Sequence, residues 1–282
     1  MTASSNDQSP GRIPVVLSIA GSDSGGGAGI QADLKAFARC GVHGTTAITA
    51  ITAQNTVGVR SVHAIHPAAI RDQVAAVAED IGVDAVKIGM LGTAETTAAV
   101  IASLEETDLA GGVPVVLDPV MVAESGAVLL DPGARAALVQ GLLPLATVAT
   151  PNLPEARELA GLPDEDDRVA LARSVLDLGP GAVVVTGGHT GDGADLLLER
   201  GGDPVWIEGP RHPDGASHGS GCTHSSALAA HLALGYNVAD AVRRARELTS
   251  EAVAAGLRGI GAGAGPVDVL GAGSGRAKRG RA

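Results

Sequence analysis

Ile13-Pro14-Val15-Val16-Leu17-Ser18-Ile19-Ala20-Gly21-Ser22-Asp23-Ser24-Gly25-Gly26-Gly27-Ala28-Gly29 is the stretch on which the fold of this chain turns. Ile13–Ala20 is too short and too uniformly apolar for an amphipathic helix, and reads as a strand buried on both faces. The glycines after it are punctuation, and a helix is expected from about Ala28 to Arg39. A buried strand, a glycine-rich turn and a helix are the opening of a βαβ unit.

The same alternation continues downstream. Strands are expected at Thr45–Thr52, Val59–Ile65, Ala85–Ile88, Val113–Asp118, Thr147–Thr150 and Val183–Thr186, with a hairpin of Asp195–Glu199 and Val205–Glu208. Helical spacing falls between them: after Pro67 through Glu79, near Thr93–Leu104 and Pro132–Leu143, and around Pro154–Ala160 and Arg168–Leu178. Two helices close the chain, Gly219–Leu234 and Asn237–Leu257. In the last, Asn237 is a suitable N-cap, and Val238, Ala241, Val242, Ala245, Leu248, Ala252 and Val253 recur at three- and four-residue spacing to bury one face, opposite Arg243, Arg244 and Glu247. Continuous apolar strands alternating with amphipathic helices specify an α/β fold, a mostly parallel central sheet with helices on both faces. One folded domain is expected over residues 13–270. The polar residues 1–12 and the basic residues 271–282 lack periodicity and read as disordered ends.

Composition narrows the function. The 282 residues carry a net charge of −11 and only one each of Trp, Tyr and Phe, so both a basic phosphate-binding surface and base-stacking aromatics are missing and nucleic acid is disfavoured as a partner. Two cysteines 182 positions apart read as reduced thiols, no apolar run reaches the ~18 residues of a membrane span, and no secretory signal opens the chain, so the cytoplasm is expected. Glycine is the outlier: 40 residues are about twice the usual ~7%. Ligands of parallel sheets bind beyond the carboxyl ends of the strands. Four glycine clusters stand at such ends, Gly21–Gly29, Gly89–Gly92, Gly187–Gly188 and Gly219–Gly221.

Gly219-Ser220-Gly221-Cys222 opens a helix, where small residues let backbone N–H groups converge on an anion at the positive end of the helix dipole. In that first turn Cys222 would have its pKa lowered and lie beside the anion; a buried structural cysteine is the other reading. The first glycine loop is not a phosphate-binding P-loop, because no Lys-Ser/Thr follows it, and it lacks G-x-G-x-x-G spacing. Asp118 ends a strand and Asn152 follows one, where an acid and an amide serve either as oxygen ligands near Mg²⁺ or as caps. The eight histidines show no zinc spacing; His189, His212, His218 and His224 read as surface or packing residues.

Taken in order, these segments resemble the ribokinase-like superfamily and, within it, the hydroxymethylpyrimidine/phosphomethylpyrimidine kinases. The similarity runs from about Val15 to Val267. It is carried by Ala20–Lys35, by Thr49-Ala50-Ile51-Thr52-Ala53-Gln54-Asn55-Thr56, and by Lys87-Ile88-Gly89-Met90-Leu91. Asp118-Pro119-Val120-Met121, Thr150–Ala156, Thr186-Gly187-Gly188-His189 and His218-Gly219-Ser220-Gly221-Cys222-Thr223 add to it.

The resemblance implies ATP-dependent phosphorylation of 4-amino-5-hydroxymethyl-2-methylpyrimidine and then of its monophosphate, in thiamine biosynthesis. Gln54 would hydrogen-bond the pyrimidine, with Gly21, Asp33 and Met90 lining that pocket. The Gly219, Ser220, Gly221 and Cys222 amides would stabilise the transferred phosphoryl group, and Cys222 would accept or orient the hydroxyl proton. Asp118 and Thr186 would lie near the nucleotide phosphates, and Asn152 and Glu155 would act on Mg²⁺ through water. Glu124 stands where many relatives carry Lys, Thr186 replaces a Lys found in some, and Gly263–Asp268 lacks a usual histidine, which bears on nucleotide affinity. A pyridoxine or pyridoxal kinase of the same fold and a catalytically idle pyrimidine- or nucleotide-binding relative are the competing readings. Relatives are commonly dimers, so a homodimer is open to this chain.

Overall fold

The computed structural model describes residues 11–273 apart from positions 125, 191 and 214. The strands are β1 (Val15–Asp23), β2 (His43–Gln54), β3 (Val59–Ala64), β4 (Ala85–Ile88), β5 (Val115–Leu117), β6 (Val148–Ala149), β7 (Ala182–Val185), β8 (Asp195–Glu199) and β9 (Val205–Ile207). They form one sheet in the order β3-β2-β1-β4-β5-β6-β7-β8-β9. Neighbours from β2 to β7 are parallel; β3 on one side and β8 and β9 on the other run antiparallel. The helices are α1 (Gly29–Cys40), α2 (Pro67–Asp80), α3 (Ala94–Glu106), α4 (Pro132–Ala137), α5 (Leu153–Ala160), α6 (Arg168–Asp177), α7 (Ser220–Ala233) and α8 (Val238–Ala254).

Strand periodicity divides the core in two. Leu17, Ile19, Val86, Ile88, Val115 and Leu117 pack with residues of α2 to α6, such as Ile70, Val100, Ala156 and Val175. Their neighbours Val16, Ala85, Val116, Val148 and Val184 face the other way, against Phe37 of α1, Ala227–Ala230 of α7 and Ala241 and Val242 of α8. Because side chains alternate along a strand, Ser18 and Lys87 belong to this second layer, and the register sets them side by side as a Ser18–Lys87 pair across β1 and β4. Both are fully buried.

The fold follows the expected alternation, with three local departures. β1 does not stop at Ala20: Ser22 and Asp23 keep pairing with Ile51 and Thr52 after a register slip, because β2 and β3 extend the sheet here. The helix expected near Pro132–Leu143 changes pitch, from α4 to a π turn at Leu138–Leu142 and a 3₁₀ turn at Leu143–Leu145, where Pro144 brings no N–H to continue an α ladder. α8 ends at Ala254, before the expected Leu257. The chain turns there, since a Cβ on Gly256 would stand 2.3 Å from that of Ala216.

Most of the two ends expected to be disordered lies outside the described residues. The parts described belong to the folded body: Arg12 pairs with Asp84 at 2.8 Å, and the Ala272 and Gly273 amides donate to Asp268. Among the described residues no helix is long and apolar enough to cross a membrane, and Cys40 and Cys222 are free thiols.

Candidate active site

The carboxyl ends of six neighbouring strands open into one cavity of about 1220 Å³. In sheet order its wall takes Gln54 at the end of β2, Gly21 and Asp23 of β1, Met90 after β4, Asp118 after β5, Asn152 after β6 and Thr186 after β7. Gly219, Ser220, Gly221 and Cys222 line it from α7. Of the residues expected from the sequence, only Asp33 is not brought to this wall. It is fully buried on α1. It accepts from Ser18 Oγ at 2.6 Å, from Ser226 Oγ at 2.7 Å, and from Lys87 Nζ at 2.9 and 3.1 Å. Its position one turn into α1, on the side facing the sheet, hides it behind the pocket.

Asp23, which the sequence reading passed over, organises the first glycine loop. Its carboxylate accepts from the amides of Gly25 at 2.7 Å, Gly27 at 3.0 Å and Ala28 at 2.9 Å. Burial opposes the charge, but His218 and these amides outweigh it and hold the carboxyl below its usual range. Ser24 ties the loop to the end of β2, donating to the Gln54 carbonyl at 2.6 Å and accepting from the Gln54 amide at 2.8 Å. The signal was present: an aspartate two residues before a glycine run makes an Asx turn. Gly21 contributes room, because a Cβ there would meet Met90 Sδ at 3.2 Å.

The second loop enters α7 through Gly219, whose φ of +83° no branched side chain tolerates. A Cβ on it would sit 1.8 Å from the Gly27 carbonyl oxygen, so the two glycine loops lock backbone to backbone. The Ser220 amide, expected on the transferred phosphoryl group, is instead taken by the Ser217 carbonyl at 2.9 Å. The amides of Gly219, Gly221 and Cys222 have no protein acceptor among the described residues. Around Gly221 there is open space: a Cβ there would meet nothing within 4 Å. Free amides, the positive end of a 14-residue helix and an open face together fit an anion.

The expected lowering of the Cys222 pKa is overturned. Burial pushes the thiol up to about 12, against the pull of Lys87 and the Gly29 amide, with Asp33 and Asp118 adding to the rise. At this site desolvation is the stronger effect. Two carboxylates on the same wall are shifted in the same direction. Asp118, which accepts from Ser225 Oγ at 3.0 Å, is raised by burial; Glu155 is pushed up to about 8 by burial and by Asp118.

Asn152 and Glu155 are a capping box: Asn152 Oδ1 accepts from the Glu155 amide and Glu155 Oε2 from the Asn152 amide, each at 2.9 Å. The capping role does not exhaust them, since both face the cavity and Asp118 stands close enough to Glu155 to raise its pKa. Two oxygen donors that repel each other when both are ionised fit a hydrated divalent cation. Thr186 adjoins Asn152 through a parallel bridge.

Glu124 and His218 close over the mouth. His218 Nε2 lies 3.1 Å from Asp23 and Nδ1 3.4 Å from Glu124, and Ser217 Oγ also donates to Glu124. Hydrogen bonds to Asp23 and Glu124 raise the His218 pKa to about 9. The far wall, beyond β7 and β8, carries Arg211, His212, Arg246, Thr249 and Ser250. Their sequence motifs gave no sign of this, because helix α8 reads as an ordinary amphipathic helix.

Residues 23–268 match the model of a family described as phosphomethylpyrimidine kinase. The hydroxymethylpyrimidine/phosphomethylpyrimidine kinase of Streptomyces coelicolor is 46% identical over 258 residues, covering 90% of this chain and 94% of that protein. Among solved structures, a phosphomethylpyrimidine kinase from Clostridium difficile is 40% identical with a TM-score of 0.74, covering 86% of this chain and all of that one. A pyridoxal kinase from Staphylococcus aureus, solved with AMP-PCP and pyridoxal, is 33% identical with a TM-score of 0.81, covering 92% and 94%.

Proposed function

The chain belongs to the phosphomethylpyrimidine kinase family, and on that premise we propose that it transfers the γ-phosphoryl group of ATP first to 4-amino-5-hydroxymethyl-2-methylpyrimidine and then to the resulting monophosphate. It is a phosphotransferase. The observation that carries this reading is the open first turn of α7, Gly219–Cys222, set between a small-molecule pocket at Gln54, Gly21 and Met90 and an acidic, oxygen-rich wall at Asp118, Asn152 and Glu155. Gln54 would bond the ring while Gly21 and Met90 bound the space for it; among the described residues this cavity is lined by no Phe, Tyr or Trp.

Phosphoryl transfer asks the protein for alignment and charge stabilisation rather than covalent chemistry. The Gly219, Gly221 and Cys222 amides would hold the equatorial oxygens of the transferred group. In the first transfer the hydroxymethyl oxygen forms its bond to phosphorus as the β–γ bridging bond breaks, its electron pair leaving with ADP. The hydroxyl proton must go elsewhere. With its pKa near 12 the Cys222 thiol is neutral in most molecules at neutral pH, and the minority thiolate takes that proton. In the second transfer the attacking atom is an already ionised phosphate oxygen, so no proton needs accepting. Asn152 and Glu155, with Asp118 and Thr186 near the phosphates, would hold hydrated Mg²⁺, which supplies charge neutralisation along the triphosphate.

The fold is shared with pyridoxal kinases and does not choose the ring. Steady-state kinetics decide: kcat/KM for the hydroxymethylpyrimidine exceeds that for pyridoxal, and the reverse order assigns the chain to pyridoxal. No ATP turnover with either would leave the idle relative.

A further inference from the structure

Lys87 opens the segment Lys87-Ile88-Gly89-Met90-Leu91 and stands outside the groups assigned to ring, phosphate and metal. It projects from β4 into the layer between the sheet and helices α1 and α7, with no solvent exposure. Two residues further along the same side of the strand stands Gly89. A Cβ there would come within 2.8 Å of Lys87 Nζ, so the missing side chain makes room for an ammonium that runs along β4 toward the cavity. Lys87 accordingly forms part of the cavity wall.

The groups facing Lys87 come from every element around it. Asp33 of α1 holds the ammonium at 2.9 and 3.1 Å and is itself held by Ser18 of β1 and Ser226 of α7. Ser226 lies four residues after Cys222, one turn further along the same face of α7. Asp118, after β5, is tied to that face by Ser225. Burial alone would lower the Lys87 pKa; Asp33 first, then Cys222 and Asp118, raise it, so the side chain is a permanent cation.

We propose that Lys87 is a positioning residue for the first phosphoryl transfer: anchored by Asp33, which Ser226 ties to α7 one turn beyond Cys222, its ammonium stabilises the thiolate that takes the hydroxyl proton. The cation acts through Cys222 and not on the phosphoryl group itself. A purely structural ion pair would satisfy Asp33 and do nothing to the thiol. The proposal rests on the kinase reading above for its turnover arm and is independent of it in its thiol arm.

The test is the double-mutant cycle Lys87→Met and Asp33→Asn on a Cys40→Ser background, in which Cys222 is the one remaining thiol. Alkylation of Cys222 by iodoacetamide at alkaline pH, kcat for each transfer and the KM for ATP are measured on all four proteins, with melting temperatures alongside. Lys87→Met slows alkylation and the first transfer by about tenfold or more in both backgrounds, as loss of a close opposite charge requires. The second transfer and the KM for ATP stay within about threefold. Should Lys87→Met alone fail to fold, the double variant against Asp33→Asn carries the comparison, since neither contains the stranded carboxylate. Equal alkylation rates in those two proteins overturn the proposal, as does an equal loss in both transfers. Absence of pyrimidine phosphorylation by the unsubstituted chain would remove the assigned substrate and leave the alkylation rates to decide on Lys87.

Discussion

The two glycine-rich entries, Gly25–Gly29 before α1 and Gly219–Gly221 before α7, look alike as sequence and are opposite as chemistry. In the first, the amides of Gly25, Gly27 and Ala28 are consumed by the Asp23 carboxylate. In the second, no carboxylate lies inside the turn, and the amides of Gly219, Gly221 and Cys222 stay available at the cavity wall. A glycine run after a strand therefore marks a tight backbone path, and what the path is for depends on whether an internal acceptor has already taken its donors. The first loop shapes the pocket rim through Ser24 and Gln54. The second is left to meet an anion.

The sharpest break in that comparison comes from substituting within the second loop. Gly219→Ala forces a side chain into a left-handed backbone and into the Gly27 carbonyl. Both loops must shift, and the expected outcome is loss of measurable transfer together with a lowered melting temperature. Gly221→Ala enters open space, so its melting temperature stays near that of the unsubstituted protein while the methyl fills the anion cradle. Loss of a stabilising donor geometry of this kind costs about 10²-fold in kcat. Equal effects of the two substitutions on stability would mean that Gly221 is as sterically confined as Gly219.

Next in size is Cys222→Ala. If the thiolate accepts the hydroxyl proton, the first transfer falls by roughly 10²-fold, within the usual range for a lost general base, and the second is spared. With the thiol pKa near 12, the first-transfer rate of the unsubstituted protein rises with pH across the range from neutral toward 10. A flat first-transfer profile, or equal losses in both transfers, would reduce the role of Cys222 to its backbone amide.

Why the open amides of the second loop were legible while the place of Asp33 and the direction of the Cys222 shift were misjudged is a matter of range. Gly219–Cys222 can be assessed locally: its residues are small and no carboxylate stands within the turn to take the amides. The fold was legible for a similar reason, since the apolar period along β1, β4 and α8 is a local property, and element ends were displaced only where tertiary pairing intervened, as where β2 carries β1 on to Asp23. Asp33 was misplaced because neighbours in sequence do not reveal that Lys87, 54 positions away, and Ser226, 193 positions away, enclose it. The direction of the Cys222 shift was misjudged in the same way: the helix terminus is local, whereas the burial that outweighs it, and the charges of Asp33 on α1 and Asp118 after β5 that add to the rise, come from tertiary packing.

The smallest effect concerns the bond that joins the two loops. His218 directly precedes the second loop and reaches Asp23 at the centre of the first, with Glu124 on its other nitrogen. Its pKa is raised to about 9 in the folded protein, from a reference near 6.5 in the unfolded chain. A group raised in this way contributes stability that is fully present below the unfolded value and is lost as pH rises through the folded one. His218→Gln keeps a hydrogen-bonding side chain but no charge. The gap in melting temperature between it and the unsubstituted protein is therefore widest near pH 6, about 2–6 °C for a chain of this size, and closes by pH 10. A gap independent of pH would show that the imidazole acts by shape, filling the space that Gly27 leaves open, and that the loops are joined by packing rather than by charge.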